Sequence, residues 1–208
     1  MEKLMRLGAL FYSDFELLDA YGPLEMFGCL GEDLEIVSIA EQAGPVRSTP
    51  GVAAYADFSF ADAPELDLIL VPGGVGTLAE LENTALLDFL KDRCPKSQIT
   101  MSVCTGSALL AQADLLNGRK ATTNKMYFEM ARGVGAAVDW QEAARWVDAG
   151  QYVTSSGVSA GTDMALAIIA RLFGKARAEK ITRFTEYQWH QDADNDPFLA
   201  YLNKPEAL

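Results

Sequence analysis

Short apolar runs alternate with helix-patterned segments along this chain, and that alternation limits its fold more than any other feature. Residues 7–12, 66–71 and 99–103 are short, largely apolar runs of strand length, and residues 34–40 alternate as a further strand. Residues 22–30, 78–92, 105–116, 124–131, 160–173 and 175–188 carry helical spacing. Strands alternating with helices argue a mostly parallel sheet covered by helices on both faces. Residues 44–60 predict a hairpin around Thr49-Pro50-Gly51, and residues 143–147 and 152–155 flank Ala149-Gly150 as a second. Both hairpins are expected at sheet edges. No repeat or linker interrupts the pattern, so one domain is expected over residues 1–208.

Composition narrows the partners. Half the residues are hydrophobic, and 29 acidic against 17 basic residues give a net charge of -12. Such a surface repels phosphate backbones and anionic lipid, so neither nucleic acid nor membrane is an expected partner. There is no run of about 18 apolar residues to span a bilayer, and no signal-peptide pattern at Met1. The cysteines are Cys29, Cys94 and Cys104, an odd and sparse set that makes no disulfide framework. A cytoplasmic location follows as an expectation. With one His and no closely spaced Cys pair, no metal site is expected.

In an open α/β sheet, ligands gather beyond the carboxyl ends of the strands. Three loops are expected there: residues 13–19, residues 72–77 and the turn at Cys104. Ser102-Val103-Cys104-Thr105-Gly106-Ser107 runs from an apolar strand through small residues into a helix. That is the logic of a nucleophile elbow, and a helix terminus beside the sulfur is expected to favour thiolate. The plainer reading is a buried Cys serving as a small hydrophobe. Asp19 follows Leu17-Leu18, and an apolar setting would raise its pKa and make it a usable acid. Its plainer role is to cap a helix opening near Pro23. Glu16 is expected in solvent.

The glycines of Pro72-Gly73-Gly74-Val75-Gly76 could turn N–H groups toward an anion, as an oxyanion hole requires, but no Lys-Ser or Lys-Thr follows to make a phosphate loop. His190, the single His, is expected at a helix end. Asp192, Asp194 and Asp196 alternate like a calcium loop but lack its Gly and Glu. Residues 155–161 are small and could line a pocket or allow tight packing. Asp163 reads as a first-turn helix acid.

Several stretches together carry a resemblance: Leu18-Asp19 with Gly22-Pro23, Val71-Pro72-Gly73-Gly74, the Cys104 elbow, Gly118-Arg119-Lys120-Ala121-Thr122-Thr123, and residues 155–163. The chain resembles the DJ-one/ThiJ/PfpI superfamily over nearly its whole length, and within it the isonitrile hydratase branch. The resemblance implies a flavodoxin-like three-layer sandwich, also described as class I glutamine amidotransferase-like. It further implies a homodimer, a small-molecule substrate and no cofactor. By position, Cys104 matches the nucleophile and Asp19 its acidic partner. Thr105 matches the residue that helps bind the reacting group, and Gly74, with Gly73, the backbone donor of the Pro-Gly-Gly turn. Asn124 stands at the substrate-facing position where many relatives have His, which weighs against a Cys–His protease or amidase. The implied reaction is hydration of an isonitrile to a formamide. The alternatives are a glyoxalase-type enzyme, another cysteine hydrolase or amidase, and a redox-sensing cysteine. Some relatives carry a helix-turn-helix domain downstream, which is not expected in 208 residues.

Overall fold

The structure, a computed structural model, describes residues 4–205. Its elements run β1 (Met5–Leu10), α1 (Leu17–Gly28), β2 (Leu34–Ala40), β3 (Gly44–Arg47), β4 (Ala53–Ala56), β5 (Phe58–Ser59), β6 (Leu68–Val71), α2 (Thr77–Glu80) and α3 (Thr84–Arg93). They continue β7 (Ile99–Ser102), α4 (Gly106–Gln112), β8 (Lys120–Ala121), α5 (Phe128–Val134), β9 (Asp139–Trp140), β10 (Trp146–Ala149), β11 (Tyr152–Ser155), α6 (Ser159–Phe173) and α7 (Lys175–Phe184).

The main sheet has the order β10-β11-β7-β6-β1-β2-β5, and only β10 is antiparallel to its neighbour. Taken in chain order, its principal strands β2, β1, β6, β7 and β11 stand as 2-1-3-4-5, the flavodoxin arrangement. The order reverses between β1 and β6, which opens a crevice at their carboxyl ends. Alternation along β6 shows why the strand is apolar throughout. Leu68 and Leu70 join one buried cluster with α1, α6 and α7, while Ile69 and Val71 join the other with α3 and α4. Both faces are covered, and each such side chain contributes about 1.5–3 kcal/mol by leaving water.

The structure moves several predicted boundaries. The helix expected to open at Pro23 begins at Leu17, so Asp19 lies in its first turn and Pro23 falls inside it. Pro23 has no N–H to give the Asp19 carbonyl, yet the buried Ala20, Met26 and Phe27 keep the helix intact. The helix expected over residues 78–92 is two helices. Asn83 divides them because its side chain accepts from the Ala85 and Leu86 N–H groups, an N-cap that starts α3 anew. The first hairpin forms around Thr49-Pro50-Gly51 as expected, but β3 and β4 pair only with each other, and β5 takes the sheet edge. The second hairpin, β10 and β11, does sit at an edge. The helix expected from residue 124 starts at Phe128. No helix of the described residues is long and apolar enough to cross a membrane.

Candidate active site

Three loops meet at the carboxyl ends of β1, β6 and β7, and they bring Asp19, Gly73, Gly74, Thr105 and Cys104 together. Cys104 ends the β7 segment with φ of 56°, a left-handed conformation that a non-glycine residue holds only under constraint. Its N–H donates to the Ser156 carbonyl at 3.1 Å, and its own carbonyl accepts from Ser107 and Thr123 hydroxyls. The turn is thus pinned from β11 and from the loop after β8. Cys104 is buried, 6% exposed.

Asp19 is fully buried. Its Oδ2 accepts from the Gly73 N–H at 2.9 Å, and its Oδ1 has no hydrogen-bond partner of ordinary length. Burial pushes its pKa up to about 8; the Gly73 N–H works against this, the Glu16 carboxylate adds to it, and the Cys104 thiol offsets part of it. Glu16 is not a solvent residue, as the sequence suggested. It stands half-buried at the start of α1, with its N–H donated to the Gly73 carbonyl at 2.7 Å.

The expected activation of the thiol by a helix terminus is corrected. The Cys104 pKa lies well above the usual thiol value, first because the sulfur is buried and then because the Asp19 carboxylate is near. N–H groups of Thr105 and Val158 and the Asn124 amide favour the thiolate but do not prevail. α4 spans only seven residues, so its dipole is small. Burial thus favours the protonated form of both groups. Val158 is itself strained, with φ of 34° and ψ of -86°, an outlier for a β-branched residue.

The glycines position the site. Gly73 and Gly74 each present an N–H, but Gly73 donates to Asp19 and Gly74 donates to Thr105 Oγ1 at 3.0 Å. Their N–H groups therefore form no open oxyanion hole. A Cβ on Gly73 would lie 2.5 Å from the Thr105 nitrogen and 3.0 Å from Asp19 Oδ2. Only glycine lets the carboxyl and the elbow approach so closely. Thr105 Oγ1 is also 2.8 Å from Thr77 Oγ1, which is 3.0 Å from the Tyr12 hydroxyl, so a buried hydroxyl chain fixes the threonine. Asn124 accepts from the Met126 N–H at 2.8 Å through Oδ1, which leaves its amide nitrogen free to face the sulfur.

Other sequence candidates lie elsewhere. The His190 ring nitrogen Nε2 bonds the Asn195 carbonyl at 3.2 Å, and the His190 backbone N–H donates to Asp163 Oδ1 at 2.9 Å. Asp163 is no first-turn acid. It is fully buried and accepts from Arg145 at 2.6 and 2.8 Å and from the Tyr187 hydroxyl at 3.1 Å. Asp196 is buried 3.6 Å from Lys125 Nζ and 3.7 Å from Arg145. Among the described residues no cluster of metal-binding side chains occurs. The stretch at residues 155–161 does both things considered for it. Ser156, Gly157 and Val158 line a cleft, and a Cβ on Gly161 would meet Val103 Cγ2 at 2.6 Å, so α6 packs hard against the elbow. Tyr12 was not among the candidates read from the sequence, and Val158 and Thr77 were read only as members of stretches 155–161 and 72–77, with no role of their own. Their roles rest on backbone strain and on contacts between distant loops.

A flavodoxin-ordered sheet with a cysteine on a strained turn, faced by a buried carboxyl, defines a class of α/β protein. The chain belongs to the DJ-1/PfpI family, whose model matches residues 7–171. It is 32% identical to the isonitrile hydratase of Pseudomonas putida over 88% of this chain and 78% of that one. Protein/nucleic acid deglycase 2 of Escherichia coli is 29% identical over 72% of this chain and 87% of its own length. A ThiJ/PfpI family protein from Pseudomonas syringae superposes with a TM-score of 0.83 at 33% identity, covering 94% of this chain and 77% of that structure.

Proposed function

We propose that the protein hydrates isonitriles to N-substituted formamides, with Cys104 as nucleophile and Asp19 as the acid and base. One observation carries this reading: Asp19 is buried, holds its proton to about pH 8, and leaves Oδ1 without a partner beside the thiol. An isonitrile, R–N≡C, needs a proton and a nucleophile at the same carbon. Asp19 would deliver its proton to that carbon while the sulfur bonds to it, and the thiol proton would return to the carboxyl. The product is the thioimidate R–N=CH–S–Cys104. No net charge develops in the buried site, which fits two groups that both rest neutral. Asp19 then gives its proton to the thioimidate nitrogen as water adds to the carbon, and its carboxylate takes a proton from that water, giving R–NH–CH(OH)–S–Cys104. Collapse breaks the C–S bond, the hydroxyl proton passes to the sulfur through Asp19, and R–NH–CHO leaves. Thr105 N–H and the Asn124 amide would hold the sulfur as it carries charge between steps. The step needs no metal and no cofactor.

The relationship to isonitrile hydratase supports the substrate class, and Asn124 in place of His is compatible with a Cys–Asp mechanism. The three free cysteines suit a reducing cytoplasm. We also infer a homodimer, for which light scattering at micromolar concentration should give twice the chain mass. The activity is tested with an aryl isonitrile followed by formamide absorbance, with methylglyoxal in a parallel assay. Formamide from wild type and Cys29→Ala but none from Cys104→Ala is expected. Turnover of methylglyoxal alone would overturn the reading in favour of a glyoxalase-type enzyme.

A further inference from the structure

Next to the thiol lies a cleft of about 180 Å³ that the reaction as described leaves unused. It is lined by Ser156, whose carbonyl accepts the Cys104 N–H at 3.1 Å, and by Asn124 and Val158, whose N–H groups favour the Cys104 thiolate. Met126 forms one side. The outer wall is supplied by Phe198 and Tyr201, from a segment distant in sequence. Their rings stand 6.3 Å apart and remain 52% and 40% exposed.

The wall is held in place at both ends. Asn203 donates its N–H to the Lys125 carbonyl at 2.8 Å, and its side-chain oxygen accepts from the Glu129 N–H at 2.9 Å. At the other end the Asp196 N–H bonds the Ala143 carbonyl at 2.8 Å, and the Asp196 carboxylate lies between Lys125 and Arg145. Lys125 lines the cleft, but its ammonium is buried against the Ala144 carbonyl and Thr122 Oγ1, at 2.6 and 2.9 Å. The cleft therefore offers aromatic and thioether surface and no free cation to bind a carboxylate or phosphate.

We infer that this cleft holds the R group of the substrate, and that Phe198 and Tyr201 make the protein selective for uncharged isonitriles carrying an aryl-sized group. The inference rests on the hydration reading for the word isonitrile, and on the cleft itself for the preference. A cavity of about 150 Å³ is known to accept a benzene ring, so the volume suits one ring and not a long chain. A ring packed against these two aromatic side chains gains area burial and edge or offset contacts. Small alkyl groups would leave the wall untouched.

The test separates the cleft from the reaction. Cys104 is alkylated in the intact protein with iodoacetamide and with iodoacetanilide, and the Cys104 peptide is followed by mass spectrometry. Rates are divided by those for free cysteine. The phenyl probe is expected to react about tenfold faster at Cys104, from partial burial of one ring. In Phe198→Ala/Tyr201→Ala the ratio should fall toward one, with each single variant giving part of the loss. Equal normalised rates in wild type, or a preference that survives the double variant, would overturn the assignment. A parallel assay compares hydration of phenyl and methyl isonitrile. A labelling preference without hydration of either would sink the proposed reaction and leave the cleft standing.

Discussion

Asp19 keeps a proton that an ordinary aspartate gives up. Its folded pKa of about 8 stands above an ordinary 3.8 because the carboxyl is buried. The folded state therefore binds a proton that the unfolded state releases between those values. Its stabilising contribution is complete below pH 3.8 and is lost as pH rises through about 8. Each pKa unit is worth about 1.4 kcal/mol, so the slope is measurable in a series of melts. Asp19→Asn cannot ionise and should remove the slope, melting above wild type beyond pH 8 and level with it in acid. The same variant should lose about 100- to 10,000-fold in kcat, since an amide cannot donate and recover a proton. Wild-type kcat/KM should be flat in the neutral range and fall as Asp19 ionises. A variant with normal rate, or with an unchanged melting slope, would remove Asp19 from the mechanism.

At the scale of elements, the break between α2 and α3 shows one side chain overruling a periodic pattern. Residues 78–92 have continuous helical spacing, but Asn83 competes for the backbone and restarts the helix. Asn83→Ala should cost about 1 kcal/mol in denaturant unfolding and leave hydration unaffected, because Asn83 lies outside the Cys104 cleft. A change under about 0.3 kcal/mol would mean that packing of Leu86 and Leu90 alone fixes the start of α3. The same contrast explains what could be read before the fold was known. β2 was legible to the residue, because the polar Glu35 and Ser38 interrupt its apolar side chains in the alternating manner of a strand. The elbow was legible because a strand, a cysteine and small residues fall in succession. The state of the thiol was not, since its sign depends on burial and on Asp19, which reaches it from α1. Asp163, read as a first-turn helix acid, was misread for a similar reason: only the fold brings Arg145 and Tyr187 to it.

For the molecule as a whole, that ionic cluster joins the edge of the sheet to the chain that follows α7. Arg145 extends from the residue before β10, and its N–H bonds the Ala193 carbonyl at 2.7 Å. Asp163 on α6 takes both Arg145 contacts, the Tyr187 hydroxyl and the His190 N–H. Three segments far apart in sequence therefore meet at one buried carboxylate. Removing one partner of a buried pair costs about 3–5 kcal/mol, because the other charge is left without compensation. Asp163→Ala should lose that much in urea unfolding, and it should also loosen residues 187–196. Asp163→Asn keeps acceptors for Tyr187 and His190 and removes only the charge, so its loss should be smaller. Lys175→Ala is the exposed comparison: its 3.8 Å pair with Glu179 is solvated, and such pairs contribute about 0–1 kcal/mol. If the cluster ties the later segment to the sheet, amide exchange in residues 187–203 should speed up in Asp163→Asn while β6 and β7 stay protected. Uniform acceleration across the sheet would mean instead that the cluster supports the core as a whole. Unchanged exchange and unchanged stability would mean that Asp196 alone compensates Arg145.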